Sequence, residues 1–244
     1  MQLLVVSVGD QALPAATERL ADGLVRAGAS TADVWTGRAS AAGLDEALGH
    51  LDGRRLVIHA DLAGLSLVLN RLMRAGLLAS VETAVIPRQP VPYLHGLGLP
   101  REPAGQLRVA VQGIPRLVGV LKDDSGGLSV DRARVEPWPD PMLDRTSATS
   151  AAGTASRSGW WLRAVVDDQP LSDGDARAVD VRRLGPRELE ATVQLGRFRR
   201  RSVRGRSLQL ACDPARIVQD GIARERPRGK RTFWSEPELW QLAL

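Results

Sequence analysis

The chain has 244 residues, of which 43% are hydrophobic, and its formal net charge is +5. This apolar fraction can bury a core and so excludes a wholly disordered chain. The single cysteine, Cys212, excludes a disulfide framework or a cysteine zinc site, and we expect it to be apolar and buried in a strand. No segment has the ~18 apolar residues of a membrane-spanning helix, and the N-terminus lacks the basic start of a signal peptide. A cytoplasmic protein is therefore expected.

The first third of the chain alternates between strand and helix patterns, with short connections. Strands are predicted at 3–8, 32–36, 55–59 and 81–86, and helices at 14–27, 41–51 and 65–75. Such alternation is typical of a doubly wound parallel α/β sheet. Ligands bind to these sheets beyond the carboxyl ends of the strands. The loops after Val8, His59 and Ile86 are therefore the candidate site.

After a helix predicted at 103–112, the pattern changes to short strands separated by turn residues, which is typical of an antiparallel β sandwich. Strands are predicted at 117–121, 128–135, 160–166, 178–183, 189–195, 207–211 and 217–219, and turns at 124–127, 172–175 and 185–186. We predict an α/β domain at 1–113 and a β-rich domain at 114–244. The C-terminal tail is expected to pack back on the first domain, with Phe233, Trp234 and Trp240 in the core. Residues 146–158, which lack large apolar side chains, are expected to be disordered.

The order of these segments resembles the catalytic domain of the diacylglycerol kinase family. In that family the third strand enters a GGDGT loop and a helix that carries an asparagine. The fourth strand ends in a proline before a GTGND loop, and a VQxDGE segment lies near the end. The matching segments here are HADLA at 59–63, Asn70, VIP at 85–87 followed by Arg88, and IVQDGI at 217–222. The resemblance implies a two-domain kinase fold, ATP as phosphate donor and a lipid hydroxyl as acceptor.

The first matching loop departs from the family pattern at four of its five positions. Glycines let backbone N–H groups approach phosphates closely, but His59 and Ala60 replace two of them and Leu62 replaces the third. Ala63 replaces the threonine, and Asp61 alone is kept. We expect Leu62 to be strained at positive φ and to fill the space of a phosphate.

The other parts of the family site change as well. Residues 89–93, which begin at Gln89 after Arg88, replace GTGND, and Pro90 and Pro92 remove two backbone donors. Ser7-Val8 stands in place of an Asn-Pro motif, and Ile222 in place of a glutamate. The chain is also shorter than family members, with the missing portion between 135 and 160, so that the lipid site is expected to be reduced. The degenerate nucleotide loops are formed by His59, Ala60, Asp61, Leu62, Ala63, Arg88 and Gln89.

Two functions follow from this pattern. The first is a non-catalytic binding or regulatory module that uses no cofactor. The alternative is an active lipid kinase that binds Mg-ATP and uses Asp61 and Asp220 as catalytic residues. His59, His95 and Asp61 could also meet at the cleft as a metal site or an acid–base pair. Lone histidines are more often structural, and no metal is expected.

A run of six arginines at 197–206 indicates an anionic partner such as a lipid or membrane surface. The arginines are Arg197, Arg199, Arg200, Arg201, Arg204 and Arg206. The alternative is a hairpin whose arginines simply face water. Only 4% of the residues are aromatic, so that a base-stacking surface, and with it nucleic-acid binding, is not expected. A homo-oligomer is compatible with the sequence.

Overall fold

The computed structural model describes residues 1–8, 14–37, 41–139, 160–224 and 226–244. The segment 146–158, predicted to be disordered, lies outside the described residues. The first part of the chain contains β1 (Gln2–Val8), α1 (Pro14–Arg26), β2 (Thr31–Gly37), α2 (Ala41–Gly49), β3 (Arg55–Ala60), α3 (Leu62–Arg74), β4 (Thr83–Pro87), α4 (Pro92–Gly96) and α5 (Pro103–Gln112).

The second part consists of strands. They are β5 (Pro115–Asp123), β6 (Leu128–Ser129), β7 (Arg132–Pro137), β8 (Trp160–Val166), β9 (Gln169–Ala176), β10 (Ala178–Gly185), β11 (Glu188–Gln194), β12 (Arg200–Gly205), β13 (Ser207–Gln219), β14 (Ile222–Ala223) and β15 (Arg228–Ala243).

The chain divides into two compact units. Unit 1 comprises Met1–Val120, Gly127–Asp131 and Glu236–Leu244, and unit 2 comprises Leu121–Gly126 and Arg132–Ser235. The division into independently folding domains at 1–113 and 114–244 stays a prediction.

Unit 1 is built on a parallel sheet in the order β4-β3-β1-β2. Successive residues of a strand face opposite sides of a sheet. Leu4, Val6 and Val8 pack with α2 and α3 in one core cluster, whereas Leu3 and Val5 pack with α1 and α5 in another. Because helices cover both faces of this sheet, the prediction of a doubly wound α/β sheet is confirmed.

The end of the chain completes unit 1. Leu242 of β15 lies beside Thr83 of β4 in parallel register. Trp240 is fully buried, and its Nε1 donates a hydrogen bond of 2.5 Å to Thr83 Oγ1.

Unit 2 is an antiparallel sheet in the order β12-β11-β10-β7-β13-β15, and β13 also pairs with the β8–β9 hairpin. Alternate residues of β8, β10 and β11 are buried together in one core cluster. The predicted antiparallel β-rich second part of the fold is confirmed.

One predicted turn is wrong. Residues 172–175, predicted to turn because of their Asp and Gly content, lie inside β9 and pair with β8. The turn of this hairpin is formed instead by Asp167 and Asp168, which have φ of 42° and 69°. Aspartate tolerates positive φ better than most residues, so that two consecutive aspartates can form a two-residue hairpin turn.

Candidate functional site

Three adjacent strands of unit 1 end at the same edge of the sheet. Ser7 of β1 lies beside His59 of β3, and His59 lies beside Ile86 of β4. Arg88 follows β4 directly, and its backbone N–H donates a 2.9 Å hydrogen bond to the carbonyl of Ala60. This edge is where an open parallel sheet binds ligands.

Ser7, His59 and Arg88 form a hydrogen-bonded cluster at this edge. Arg88 Nη2 donates to Ser7 Oγ at 2.8 Å, and Ser7 Oγ lies 3.1 Å from His59 Nδ1. Since the guanidinium can only donate, the serine hydroxyl is free to donate to an unprotonated Nδ1. Burial, and then the charge of Arg88, lower the pKa of His59 to about 4. His59 is therefore neutral at physiological pH.

The first loop, at 59–63, runs directly into the start of α3. Asp61 is the N-cap residue, and its Oδ1 accepts a 2.7 Å hydrogen bond from the backbone N–H of Gly64. Leu62 is the first residue of the helix and packs against the core of unit 1. No residue from 59 to 63 has a positive φ. The predicted strain at Leu62 is therefore wrong, because the loop has the backbone of an ordinary helix start.

Gly64 is a site residue that the sequence reasoning missed. A Cβ at this position would lie 2.9 Å from Ala60 Cβ and 3.3 Å from the carbonyl oxygen of Val8. Glycine is thus needed here so that α3 can approach β1 and β3 closely. The signal in the sequence was a glycine three residues after an N-cap aspartate, inside a helix pattern.

The second loop, at residues 89–93 after β4, packs into unit 1. Pro92 is at the start of α4, a position where the missing N–H of proline would have no helical partner. Tyr93 Oη donates to the carbonyl of Gly119 at 3.1 Å, and Val91 is buried. Gln89 is exposed. Of the two prolines predicted to remove backbone donors, Pro92 is therefore the first residue of α4, and Pro90 lies two positions before it.

The hypothesis of a shared metal site on His59, His95 and Asp61 is wrong. The Nδ1 atom of His95 donates to the carbonyl of Leu99 at 2.9 Å, and that of His59 faces Ser7. Within the described ranges, no group of three or more histidine, cysteine, aspartate or glutamate side chains is placed to hold a metal ion.

Asp220 has a structural role in unit 2. With Gly221 it forms the two-residue turn between β13 and β14, and the two residues have φ of 49° and 89°. Such positive angles are typical of a type I′ hairpin turn, in which Asp-Gly is a preferred pair. Asp220 Oδ1 also accepts a 3.0 Å hydrogen bond from the backbone N–H of Arg132. The catalytic roles of Asp61 and Asp220 stay a prediction.

Asn70 attaches β6 to α3. Its Nδ2 donates to the carbonyl of Leu128 at 2.9 Å, and its Oδ1 accepts from the N–H of the same residue at 2.9 Å. The asparagine that the resemblance placed in this helix thus forms hydrogen bonds with both the N–H and the carbonyl of Leu128. Its role is structural.

Two further features of unit 2 lie apart from the predicted site residues. A surface cavity of about 350 Å³ is lined by Arg163, Val165, Asp168, Pro170, Ser172 and Asp173. Cys212 lies in β13, half-buried against the unit 2 core, and burial, followed by the charge of Asp213, raises its pKa to about 11. This thiol is therefore protonated at neutral pH and a poor nucleophile.

No family model and no curated protein matches this sequence. Solved structures match it over nearly its whole length. A diacylglycerol kinase from Bacillus anthracis str. Sterne superposes with a TM-score of 0.69 at 10% identity, covering 98% of this chain and 96% of that one. An NAD kinase from Archaeoglobus fulgidus, solved in complex with ATP, superposes with a TM-score of 0.57 at 13% identity, covering 99% and 92%.

At such low identity the likeness establishes the fold alone. The chain has the fold of the diacylglycerol kinase, as the order of its segments predicted, and shares it with the NAD kinase. In the part of the chain that the structure describes, no helix has both the length and the apolar character needed to cross a membrane.

Proposed function

We propose that this protein is a non-catalytic binding or regulatory module built on the diacylglycerol kinase fold, and that it does not bind Mg-ATP. The observation that carries the proposal is the hydrogen bond from the Gly64 N–H to the Asp61 carboxylate. The strand-end loop that holds phosphates in a kinase is here a self-capped helix start.

The electrostatics of this cap oppose a nucleotide. The start of a helix binds phosphate because its first N–H groups lack partners and the helix dipole favours negative charge. At α3 the Asp61 carboxylate already supplies that charge, 2.7 Å from the Gly64 nitrogen. A phosphate at the same place would have to displace this carboxylate or be repelled by it.

The groups beside the cap do not replace a cradle of backbone amides. Pro90 and Pro92 have no N–H to offer. Arg88 supplies a positive charge at this edge, but its Nη2 is hydrogen-bonded to Ser7. A triphosphate needs several directed donors, and one guanidinium provides few of them.

An active lipid kinase that transfers phosphate from Mg-ATP to a hydroxyl, as on diacylglycerol, is the second candidate. It is favoured by the shared fold with an NAD kinase solved in complex with ATP. Such an enzyme would use Asp61 and Asp220, and each carboxylate would have to exchange its present hydrogen bond to a backbone N–H for a catalytic role.

Titration calorimetry of the full chain with Mg-ATP tests the proposal. We expect no measurable heat of binding up to millimolar nucleotide, and no transfer of the γ-phosphate to diacylglycerol in mixed micelles. A micromolar dissociation constant, corresponding to about −8 kcal/mol, would contradict the proposed lack of Mg-ATP binding, and phosphate transfer to diacylglycerol would contradict the non-catalytic function.

Two sets of variants locate the defect. We expect the combined substitution His59→Gly, Ala60→Gly, Leu62→Gly and Ala63→Thr to leave the chain unable to bind, because the second loop keeps Pro90 and Pro92. Asp61→Asn keeps a capping side chain while removing its charge. The variant should still not bind Mg-ATP if the proposal holds, and its free energy of unfolding should fall by at most ~1 kcal/mol, because the helix dipole favours a negative charge at this position. A loss of phosphate transfer in this variant would instead support the kinase.

A further inference from the structure

The six-arginine run lies on a hairpin of unit 2. Strands β11 and β12 pair from Leu189↔Gly205 to Gln194↔Arg200, and the backbone N–H of Leu195 donates to the carbonyl of Arg199 at 2.9 Å. Residues 196–198 therefore form the tip. We call β11, β12 and residues 195–199 between them the arginine hairpin.

The tip presents an aromatic ring to solvent. Phe198 is 87% exposed, more than any other large hydrophobic side chain among the described residues. The neighbouring Leu195, by contrast, packs against the unit 2 core. The guanidinium carbon of Arg197 lies 5.5 Å from the centre of the Phe198 ring, which is within cation–π range. Phe198 is thus held at the tip of a hairpin whose base is anchored.

The arginines fall into two groups. Arg204 is paired with Glu190 at 3.3 Å, and Arg206 lies 3.9 Å from Asp167. The other four are exposed and have no carboxylate partner among the residues that the structure describes. They are Arg197, Arg199, Arg200 and Arg201. Four uncompensated positive charges therefore lie within three positions of the exposed ring along the chain.

An exposed aromatic ring among unpaired arginines is suited to binding the surface of an anionic bilayer. Arginines near a membrane are attracted by its negative surface potential, and an aromatic ring between them can enter the boundary between headgroups and acyl chains. A single ring gives no stacking surface for successive bases, which disfavours single-stranded nucleic acid. Basic residues also protect edge strands such as β12 from aggregation, but that role does not call for an exposed phenylalanine.

We propose that the tip of the arginine hairpin docks this protein on a membrane surface that contains anionic lipid, with Phe198 inserted at the interface. The inference uses residues of unit 2 only and is independent of whether unit 1 binds nucleotide. Binding is measured without nucleotide, so that its failure and that of the proposed function are distinguishable.

The test is co-sedimentation of the full chain with vesicles of phosphatidylcholine alone or mixed with phosphatidylserine. We expect binding to the mixed vesicles alone, weakened by added salt because salt screens the charges. Replacing the four unpaired arginines by glutamine should lower the affinity at least ~100-fold, and Phe198→Ala by roughly 10-fold.

A matched variant separates local from total charge. Arg19, Arg26, Arg101 and Arg116 are also exposed, and their replacement by glutamine removes the same charge elsewhere. This variant should bind vesicles within about 3-fold of wild type if the charges of the hairpin tip, rather than the net charge, hold the protein on the lipid. Thermal melting of each variant checks that it is folded.

Three outcomes would overturn the proposal. The first is an equal loss of affinity in both four-arginine variants, which would indicate a net-charge effect. The second is unchanged binding of Phe198→Ala, which would show that the ring does not enter the interface. The third is binding of an oligonucleotide duplex without binding of vesicles, which would identify nucleic acid as the partner.

Discussion

At the scale of single residues, the pKa of His59 differs strongly from that of an isolated imidazole. Its pKa falls from 6.5 to about 4 in the folded protein. As pH falls below 6.5, His59 is therefore protonated in the unfolded chain before it is protonated in the folded protein. Stability is full above 6.5, decreases between 6.5 and 4, and then levels off. The expected loss is on the order of 2 kcal/mol in the free energy of unfolding, less than the full conversion of the shift, because His59 is only partly buried and solvent screens its interactions.

The check is a comparison of wild type with His59→Asn by urea unfolding across this pH range. Asparagine can still bond to Ser7 but does not titrate, so that the difference between the two proteins isolates His59 from the carboxylates. An NMR titration of the imidazole gives the folded pKa directly. A midpoint near 6.5, or parallel stability curves, would contradict the prediction.

At the scale of elements, the position of α3 depends on Gly64. In Gly64→Ala the new Cβ would press on Ala60 and on the carbonyl oxygen of Val8, which belong to neighbouring strands. We expect the free energy of unfolding to fall by about 1–3 kcal/mol, despite the better helix propensity of alanine. Chemical denaturation measures this change.

Gly49→Ala is the matched control, because Gly49 lies in α2 and an added Cβ would meet no atom within 4 Å. We expect this substitution to be neutral or stabilising by up to ~1 kcal/mol. If both alanine variants had the same stability, close packing of α3 would not be the reason for Gly64.

At the scale of the whole molecule, unit 1 depends on the last residues of the chain. Trp240 is fully buried there, and its side chain donates a hydrogen bond to Thr83. Trp240→Ala should therefore cost about 3–5 kcal/mol and lower the hydrogen-exchange protection of β3 and β4. Trp161, which is 41% exposed, provides the control, and its alanine variant should lose about 1 kcal/mol or less. Unchanged protection of β3 and β4 in Trp240→Ala would contradict a role of the tail in unit 1.

The sequence by itself determined the order and type of most elements. The apolar residues at 3–6 and 56–58 became parts of buried parallel strands, because burial on both faces of a sheet requires consecutive hydrophobic residues. The prediction of a turn at 172–175 is wrong because local residue types do not decide where a hairpin turns. Aspartate and glycine tolerate turns but also occur in strands, and which residues turn depends on the partner strand. The long strand at the C-terminus was missed because much of its pairing involves distant residues.

The candidate site was only partly determined by the sequence. The loops after Val8, His59 and Ile86 could be chosen because parallel strands bring their carboxyl ends to one edge. The hydrogen bonds that join Ser7, His59 and Arg88 came only from the tertiary structure, since 81 positions separate Ser7 from Arg88. The structure also decided that Asp61 caps a helix and that Asp220 forms a hairpin turn. A side chain's type fixes which bonds it can make, and its neighbours in space decide which of them it does make.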